Sequence, residues 1–291
     1  MATLKETKAR IASVRSTLKI TSAMKLVASA KLRKAQQAAE NCASYERELE
    51  AILDAISVCG HSAAPLTRTD ANEDRPAPKA AVVALSSNSS LCGGFNANVI
   101  RKTREVISEL GAENIVLYAI GRKVSDALAK AGMPSARNLD ELSAHPSYAA
   151  AAELSDELVE GYRSGRFSRV VLVWNHFVST ASQKPTVETY LPLSHHSAET
   201  FGSVEDLLAE YLIEPDPDRL YNELLPKTMR LRIYSLLLDN AAAEHAARTV
   251  AMQTATDNGN EILEELTLEY NKGRQAKITA EILDLRAEPL S

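Results

Sequence analysis

Glycine and proline are both missing from residues 1–59, and both are missing again from 227–258; from there to Glu288 only Gly259 and Gly273 interrupt. These two residue types do most to weaken or end a helix. Their absence, with Ala, Leu, Lys, Glu, Arg and Gln frequent, predicts a very long helix at each end of the chain. At 1.5 Å per residue the first would run for about 85 Å, longer than any compact domain this chain could build. Such helices must protrude. Aromatics are scarce, at 5% of residues, which excludes a thick aromatic core and favours slim, alanine-rich helix packing. Cysteine is nearly absent: Cys42, Cys59 and Cys92 lie far apart and an odd one is always left over, so they read as reduced thiols. No apolar run approaches the roughly 20 residues of a membrane span, and no secretory h-region follows Met1. Acidic residues are missing from Thr7 to Ala39, where Lys8, Arg10, Arg15, Lys19, Lys25, Lys31, Arg33 and Lys34 all fall. An organellar transit peptide has a similar composition, but the heptad pattern below gives these residues a lasting structural role. The chain as a whole is mildly acidic, with a formal net charge of −5, so it is not an electrostatic nucleic-acid binder.

What is present begins with a seam. Leu4, Thr7, Ile11, Val14, Leu18 and Thr21 alternate by three and four, the spacing of a coiled coil. The frame slips at Lys25, where Met24, Val27 and Leu32 take the apolar face, and resumes as Cys42, Tyr45, Leu49, Ile52 and Ile56. In the last segment Leu231, Tyr234, Leu238, Ala241, His245, Met252, Ala255, Ile262 and Leu266 keep similar spacing. Between the helices the grammar changes. Pro65–Pro78 is a polar linker; Ala80–Ser87 and Asn114–Ile120 read as buried strands; Asn96–Leu110, Arg122–Ala131 and Tyr148–Arg163 read as helices. Arg169–Thr180 and Pro185–Leu193 are two further strands joined closely enough for an antiparallel edge hairpin. Alternating strands and helices predict a parallel α/β sheet. Glu205–Leu212 reads as a short helix, and Ile213–Asp218 as a turn in which Asp216 caps a helix with Pro217 at its first position.

The expected fold class is therefore α/β plus coiled coil: long antiparallel N- and C-terminal helices with an inserted Rossmann-like α/β domain. The expected division is 1–59 for the first coiled-coil helix, 60–78 for a linker, 79–204 for the α/β domain and 205–291 for the short helix, turn and second coiled-coil helix. An α/β domain usually has its ends close together. One helix enters it and the other leaves from nearly the same place, so the second must run back along the first.

Chemistry is harder to find. Leu91–Asn96 (LCGGFN) puts a glycine pair between strand and helix, where backbone N–H groups can cradle a phosphate. It lacks the Lys-Ser/Thr of a P-loop and the third glycine of a dinucleotide fingerprint, and Ile120-Gly121 offers no acid for a ribose. A tight turn with close packing is the expected reading. His195–His196 and Cys59-Gly60-His61 have no companions at metal-ligand spacing. Cys92 has no identifiable base and reads as a small buried hydrophobe. No catalytic, cofactor or metal constellation emerges. The basic helix says more. At about 100° per residue, Lys8, Arg15, Lys19 and Arg33 form a cationic stripe flanking the seam, suited either to solvent or to an acidic protein surface. Lys272, Arg274, Gln275 and Lys277 form a second polar cluster. Two other readings stay open: a nucleotide-binding α/β enzyme with a helical arm, and a coiled-coil nucleic-acid tether, which lacks the aromatics expected of it.

Five strings carry a resemblance: ITSAMKLVASAKLRKA (Ile20–Ala35), LCGGFNANV (Leu91–Val99), EPDP (Glu214–Pro217), AAEHAARTVAMQTATDN (Ala242–Asn258) and LTLEYNKGRQAKITAEI (Leu266–Ile282). In order and across nearly the whole chain, the sequence resembles the γ subunit of F-type ATP synthases. The resemblance implies a central shaft inside a ring of α and β subunits, with the α/β domain below it against the ε subunit and the membrane c ring. It implies β-subunit contacts at Met24, Lys25, Arg274, Gln275, Thr279 and Glu281, and foot contacts near ε and the c ring at Tyr211, Glu214 and Asp216. It also implies no small-molecule ligand, cofactor or nucleic acid, and a peripheral place on the cytoplasmic face of a bacterial plasma membrane. The chain shows no cysteine-bearing insert of the chloroplast type. Asn88, Ser89 and Ser90 stand where many members have Asp-Arg-Gly, which removes any salt bridge made there. Asp257–Asn260 (DNGN) alone suggests a turn, whereas the family runs helix through it.

Overall fold

A computed structural model of the chain describes residues 3–57, 79–193, 214 and 216–287. Helix α1 spans Leu4–Ser57 and the last helix, α6, spans Pro217–Ala287. Between them lie β1 (Lys79–Leu85), α2 (Phe95–Leu110), β2 (Ile115–Ile120), α3 (Arg122–Ala129), α4 (Asp140–Ala144), α5 (Tyr148–Arg163), β3 (Phe167–Phe177) and β4 (Gln183–Leu191). The strands and helices expected within 79–193 are present, with ends moved by a few residues; the short α4 is an addition to them. The 60–78 linker, the 205–212 helix, Cys59, His195–His196 and Tyr211 lie outside the described residues.

The sheet order is β2-β1-β3-β4. β1 pairs in parallel with both β2 and β3, and β4 closes the edge antiparallel to β3. β1 is buried along all but its first residue, as a central parallel strand must be. Side chains alternate across it. Ala80, Val82 and Ala84 face α2 and α3 with Val99, Val106, Val124 and Leu128. Ala81, Val83 and Leu85 face α5, through Leu154 and Leu158, and the start of α6, through Met229, Ile233, Leu236 and Leu237. Leu53 of α1 joins this second core, so both long helices are rooted in it.

From that root the two helices leave together, antiparallel. Glu46 meets Arg232, Thr21 meets Thr256 through a 2.9 Å hydroxyl contact, Leu18 packs on Gly259 and Leu4 on Gly273. Steps toward the C-terminus on α6 match steps toward the N-terminus on α1. The two glycines ease the approach, since a Cβ on Gly259 would lie 2.7 Å from Leu18 Cδ2 and one on Gly273 3.1 Å from Leu4 Cδ2, and each leucine would have to turn aside. DNGN is helical throughout, because Gly259 is a seam residue and not a stop.

The seam itself differs from the expected one in places. On α1 Thr7, Ile11 and Thr21 are buried as expected. Val27 is 57% exposed and Ala28 takes its place; further on Cys42, Glu46, Leu49, Leu53 and Ile56 are buried while Tyr45 and Ile52 face out. The cause is Glu46, which enters the seam because Arg232 neutralises it at 3.0 Å. On α6 Ala255 and Ile262 are exposed; Met252 is buried, and Thr256, Gly259, Leu263, Leu266 and Tyr270 are half-buried, so a glycine and a threonine hold positions the apolar pattern assigned elsewhere. α6 also begins ten residues before Lys227, the start of the stretch free of glycine and proline, and contains Pro226. An interior proline costs about 3 kcal/mol; burial of Leu225, Met229, Ile233, Leu236 and Leu237 against the sheet offsets it. Asp216 caps this helix, accepting from Arg219 N at 2.9 Å, with Pro217 at its first position.

Candidate functional site: the shaft and its dock

The glycine-pair turn between β1 and α2 is a dock for α6. Leu91 and Gly93 both adopt positive φ, 67° and 57°, and this tight path turns Cys92 and Phe95 inward against Ala243 and Ala247. Asn96 folds back over the turn, its Oδ1 accepting from Ser87 N at 3.0 Å and its Nδ2 donating to Ser87 Oγ at 2.9 Å. Arg248 reaches across from α6. Its guanidinium donates to Ser90 O and, at 2.9 Å, to Ser89 Oγ, and pairs with Glu244 at 2.7 Å. Hydrogen bonds to Ser89 and Ser90 thus link the turn to the helix at this position, and Cys92 is a buried small side chain as expected.

In open α/β sheets ligands bind in the crevice beyond the carboxyl ends of the strands. Here that crevice is filled by the chain itself. Ser86 O lies 2.3 Å from where a Cβ on Gly121 would stand, so the ends of β1 and β2 touch. Asn88 donates to Asp140 O at 2.7 Å and accepts from Arg122 N at 2.9 Å, and Ser143 Oγ donates to Ser86 O at 2.7 Å. Polar groups at the ends of β1 and β2 thus already meet neighbouring parts of the chain. Among the described residues no group of three or more His, Cys, Asp or Glu is placed to hold a metal ion.

Beside the turn, the end of β3 is tied to α6 by Asp239. Its carboxylate accepts from Trp174 Nε1 at 2.8 Å and Phe177 N at 3.0 Å, and bonds His176 Nδ1 at 2.8 Å. Asn175 N donates to Asn240 Oδ1 at 3.3 Å and Asn175 Nδ2 to Phe95 O at 3.1 Å. Sequence patterning singles out neither Asp239 nor Arg248. The only local signal is the Glu244–Arg248 spacing of four on one helix face. Asp239→Ala strands three donors, and charge-assisted bonds of this kind are worth about 1.5–3 kcal/mol each at most. Because two of these bonds are only part-buried and His176 is exposed, water replaces much of what is lost. The expected loss is about 2 kcal/mol in chemical denaturation, with a changed emission from Trp174, the single tryptophan.

Above the dock the pair becomes a bare rod. Ile20, Leu26 and Val27 of α1 and Ile262, Leu268, Ile278, Ile282 and Leu283 of α6 are each 47–71% exposed. Lys8, Arg15, Lys19 and Arg33 are exposed, as the stripe predicts. The described residues of the contact set implied by the resemblance fall into separate groups. Met24 and Lys25 are half-buried partway along the rod; Arg274, Gln275, Thr279 and Glu281 are exposed near its tip, about 30 Å further on. Thr279 Oγ1 donates to Gln275 O at 3.0 Å, and Glu281 pairs loosely with Lys277 at 3.7 Å, a surface pair worth little. Glu214 and Asp216 are exposed at the opposite end of α6 from Arg274, about 85 Å away along the helix. No described helix is long and apolar enough to cross a membrane.

Residues 3–287 match the family model described as ATP synthase. The ATP synthase gamma chain of Phocaeicola vulgatus is 46% identical over 292 residues, covering 98% of this chain and 98% of that one. The ATP synthase gamma chain of Bacteroides fragilis is 44% identical over 288 residues with the same coverage of 98% on each side. Among solved structures, a chain of the Euglena gracilis mitochondrial ATP synthase (OSCP/F1/c-ring) superposes with a TM-score of 0.62 at 17% identity, covering 97% of this chain and 92% of its own. A chain from the central stalk and c ring of the Tetrahymena thermophila enzyme gives 0.57 at 21% identity, covering 81% and 99%. These two likenesses speak for the fold.

Proposed function

The chain belongs to the ATP synthase gamma family, and we propose from this premise that it is the central rotor shaft, coupling proton flow through a membrane c ring to ATP synthesis or hydrolysis on β subunits by rotation. One observation carries the reading: two helices wound antiparallel project from a sheet with large apolar side chains bare along the distal rod. Exposed apolar surface of that extent marks a partner interface. A ring of α and β subunits enclosing the rod would cover it.

We take 1–59 and the long helix of the 205–291 segment as the shaft, 79–204 as the foot, and 60–78 as the link between them. Met24 and Lys25 would face β partway up, and Arg274, Gln275, Thr279 and Glu281 would meet β loops near the tip. Tyr211, Glu214 and Asp216 would belong to the foot, near ε and the c ring, on the cytoplasmic face of the membrane. The chain is read as non-catalytic: nucleotide and phosphate chemistry belong to its partners. The filled crevice supports this over the rival nucleotide-binding enzyme.

The mechanism follows from asymmetry. Three β sites are chemically alike, so something unsymmetrical must make them differ. A rod with cations on one helix and apolar groups unevenly placed favours a different conformation of each β, and turning it moves that preference around the ring. Such coupling needs contact energies that differ among the β states. Each charge crossing 100 mV supplies about 2.3 kcal/mol, delivered through the foot as torque. Two helices wound together resist twist better than one. Purifying the tagged chain from membranes tests the assignment: one copy per three α and three β supports it, and recovery without them overturns it. Equilibrium binding of ATP or NAD by the isolated chain would favour the enzyme reading.

A further inference from the structure

His245 sits on α6 where the two long helices touch mostly through small side chains. Leu32 of α1 packs on Ala242 and Ala246, each one residue before the alanines that meet the glycine-pair turn. The ring is half-buried in this seam, and its Nδ1 is buried with no hydrogen-bond partner among the described residues. Three charges face it: Lys31 from α1, and Glu244 and Arg248 from α6 itself. Glu244 is already paired with Arg248 at 2.7 Å, and Arg248 is held in turn by Ser89 and Ser90. The carboxylate that acts on the ring is therefore engaged elsewhere.

We propose that His245 is a proton-sensitive clasp between α1 and α6: neutral, it lets the helices close at the level of the dock; protonated, it opens this stretch of the shaft and softens it. As its Nε2–H tautomer, the neutral ring leaves only a bare acceptor in the seam. The imidazolium would instead bury an N–H donor that has no acceptor and place a third cation beside Lys31 and Arg248. Burial first, and then those two cations against the opposing pull of Glu244, hold the imidazole below its ordinary pKa. The folded chain thus binds this proton less tightly than the unfolded chain. Its stabilising contribution is whole above the ordinary histidine value of about 6.5 and is lost as pH falls from there toward the folded value. The clasp rests on the seam geometry and the charges around the ring; only its meaning for a turning shaft rests on the proposed function.

Hydrogen exchange of the full chain, corrected for the intrinsic pH dependence of exchange, tests it between about pH 8 and pH 5.5, a range that brackets the histidine titration. Wild-type segments 28–35 and 242–249 should lose protection several-fold on acidification, while His245→Gln should hold its protection constant. Lys31→Gln should keep a smaller loss. An equal acid loss in His245→Gln overturns the proposal. Direct titration of the His245 ring by NMR in the wild-type chain gives a second reading that needs no variant. A midpoint at or above the ordinary value would also overturn it.

Discussion

Ending the chain after Gly273 is expected to lower proton-driven ATP synthesis in membrane vesicles about tenfold or more while part of the ATP hydrolysis survives. The size follows from coupling energetics: each 1.4 kcal/mol of contact difference lost between β states is about a factor of ten. The selectivity follows from the structure. Gly273 packs on Leu4, the first residue of α1, so α1 does not continue beyond that level. Every described side chain from Arg274 to Leu283 is exposed. Truncation therefore removes surface offered to partners and little that holds the chain together. Thermal unfolding of the isolated chain should be nearly unchanged. Synthesis at wild-type yield per proton would mean that the tip transmits nothing.

Removing the charge of Arg232 should have the largest effect on stability. Arg232 joins three elements: its guanidinium bonds Glu46 on α1 at 3.0 Å and both oxygens of Glu188 on β4, one of them at 3.0 Å. Burial works against its charge, but Glu188 and Glu46 outweigh that and hold the guanidinium above its ordinary range. Glu46 is only 5% exposed. Arg232→Met leaves that carboxylate buried without its partner, a change that costs about 3–5 kcal/mol in a fully buried pair. Because Arg232 itself is 30% exposed, about 3 kcal/mol is the expected loss in urea unfolding. Adding Glu46→Gln should return part of it, since the stranded charge is then gone. A single variant as stable as the wild type would show this ion pair to be idle.

The same residue explains where sequence reading stops. The long helices are legible because glycine and proline are absent, and the strands because apolar runs of fitting length alternate with helical stretches. Antiparallel pairing follows from where the helices join the sheet. The seam is legible only where apolar residues fill it. A buried Glu46 looks like solvent-facing charge until Arg232, far away in the chain, is placed beside it. Gly259 reads as a breaker until Leu18 packs against it. Asp239 binds three groups on β3, and Arg248 two serines in the turn, across more than sixty residues in each case; no local pattern encodes such partners. The start of α6 is legible in Asp216 and Pro217, but its passage through Pro226 is not, because tertiary burial overrides a local preference for ending the helix. Cys42 shows the consistent case: buried in the seam, its thiol is pushed up from its ordinary pKa by that burial and by Glu46 beside it, with Ser235 pulling weakly the other way, which suits a reduced, unreactive cysteine.

If the chain is the proposed rotor, its paired helices turn as one rod inside a ring of α and β subunits. Single-molecule observation decides it: the ring is fixed to a surface, a bead is attached to the sheet proposed as the foot, and ATP is added. Rotation of the bead in one direction, for as long as ATP is hydrolysed, is the expected result. A bead that stays still while the same complexes hydrolyse ATP would contradict it.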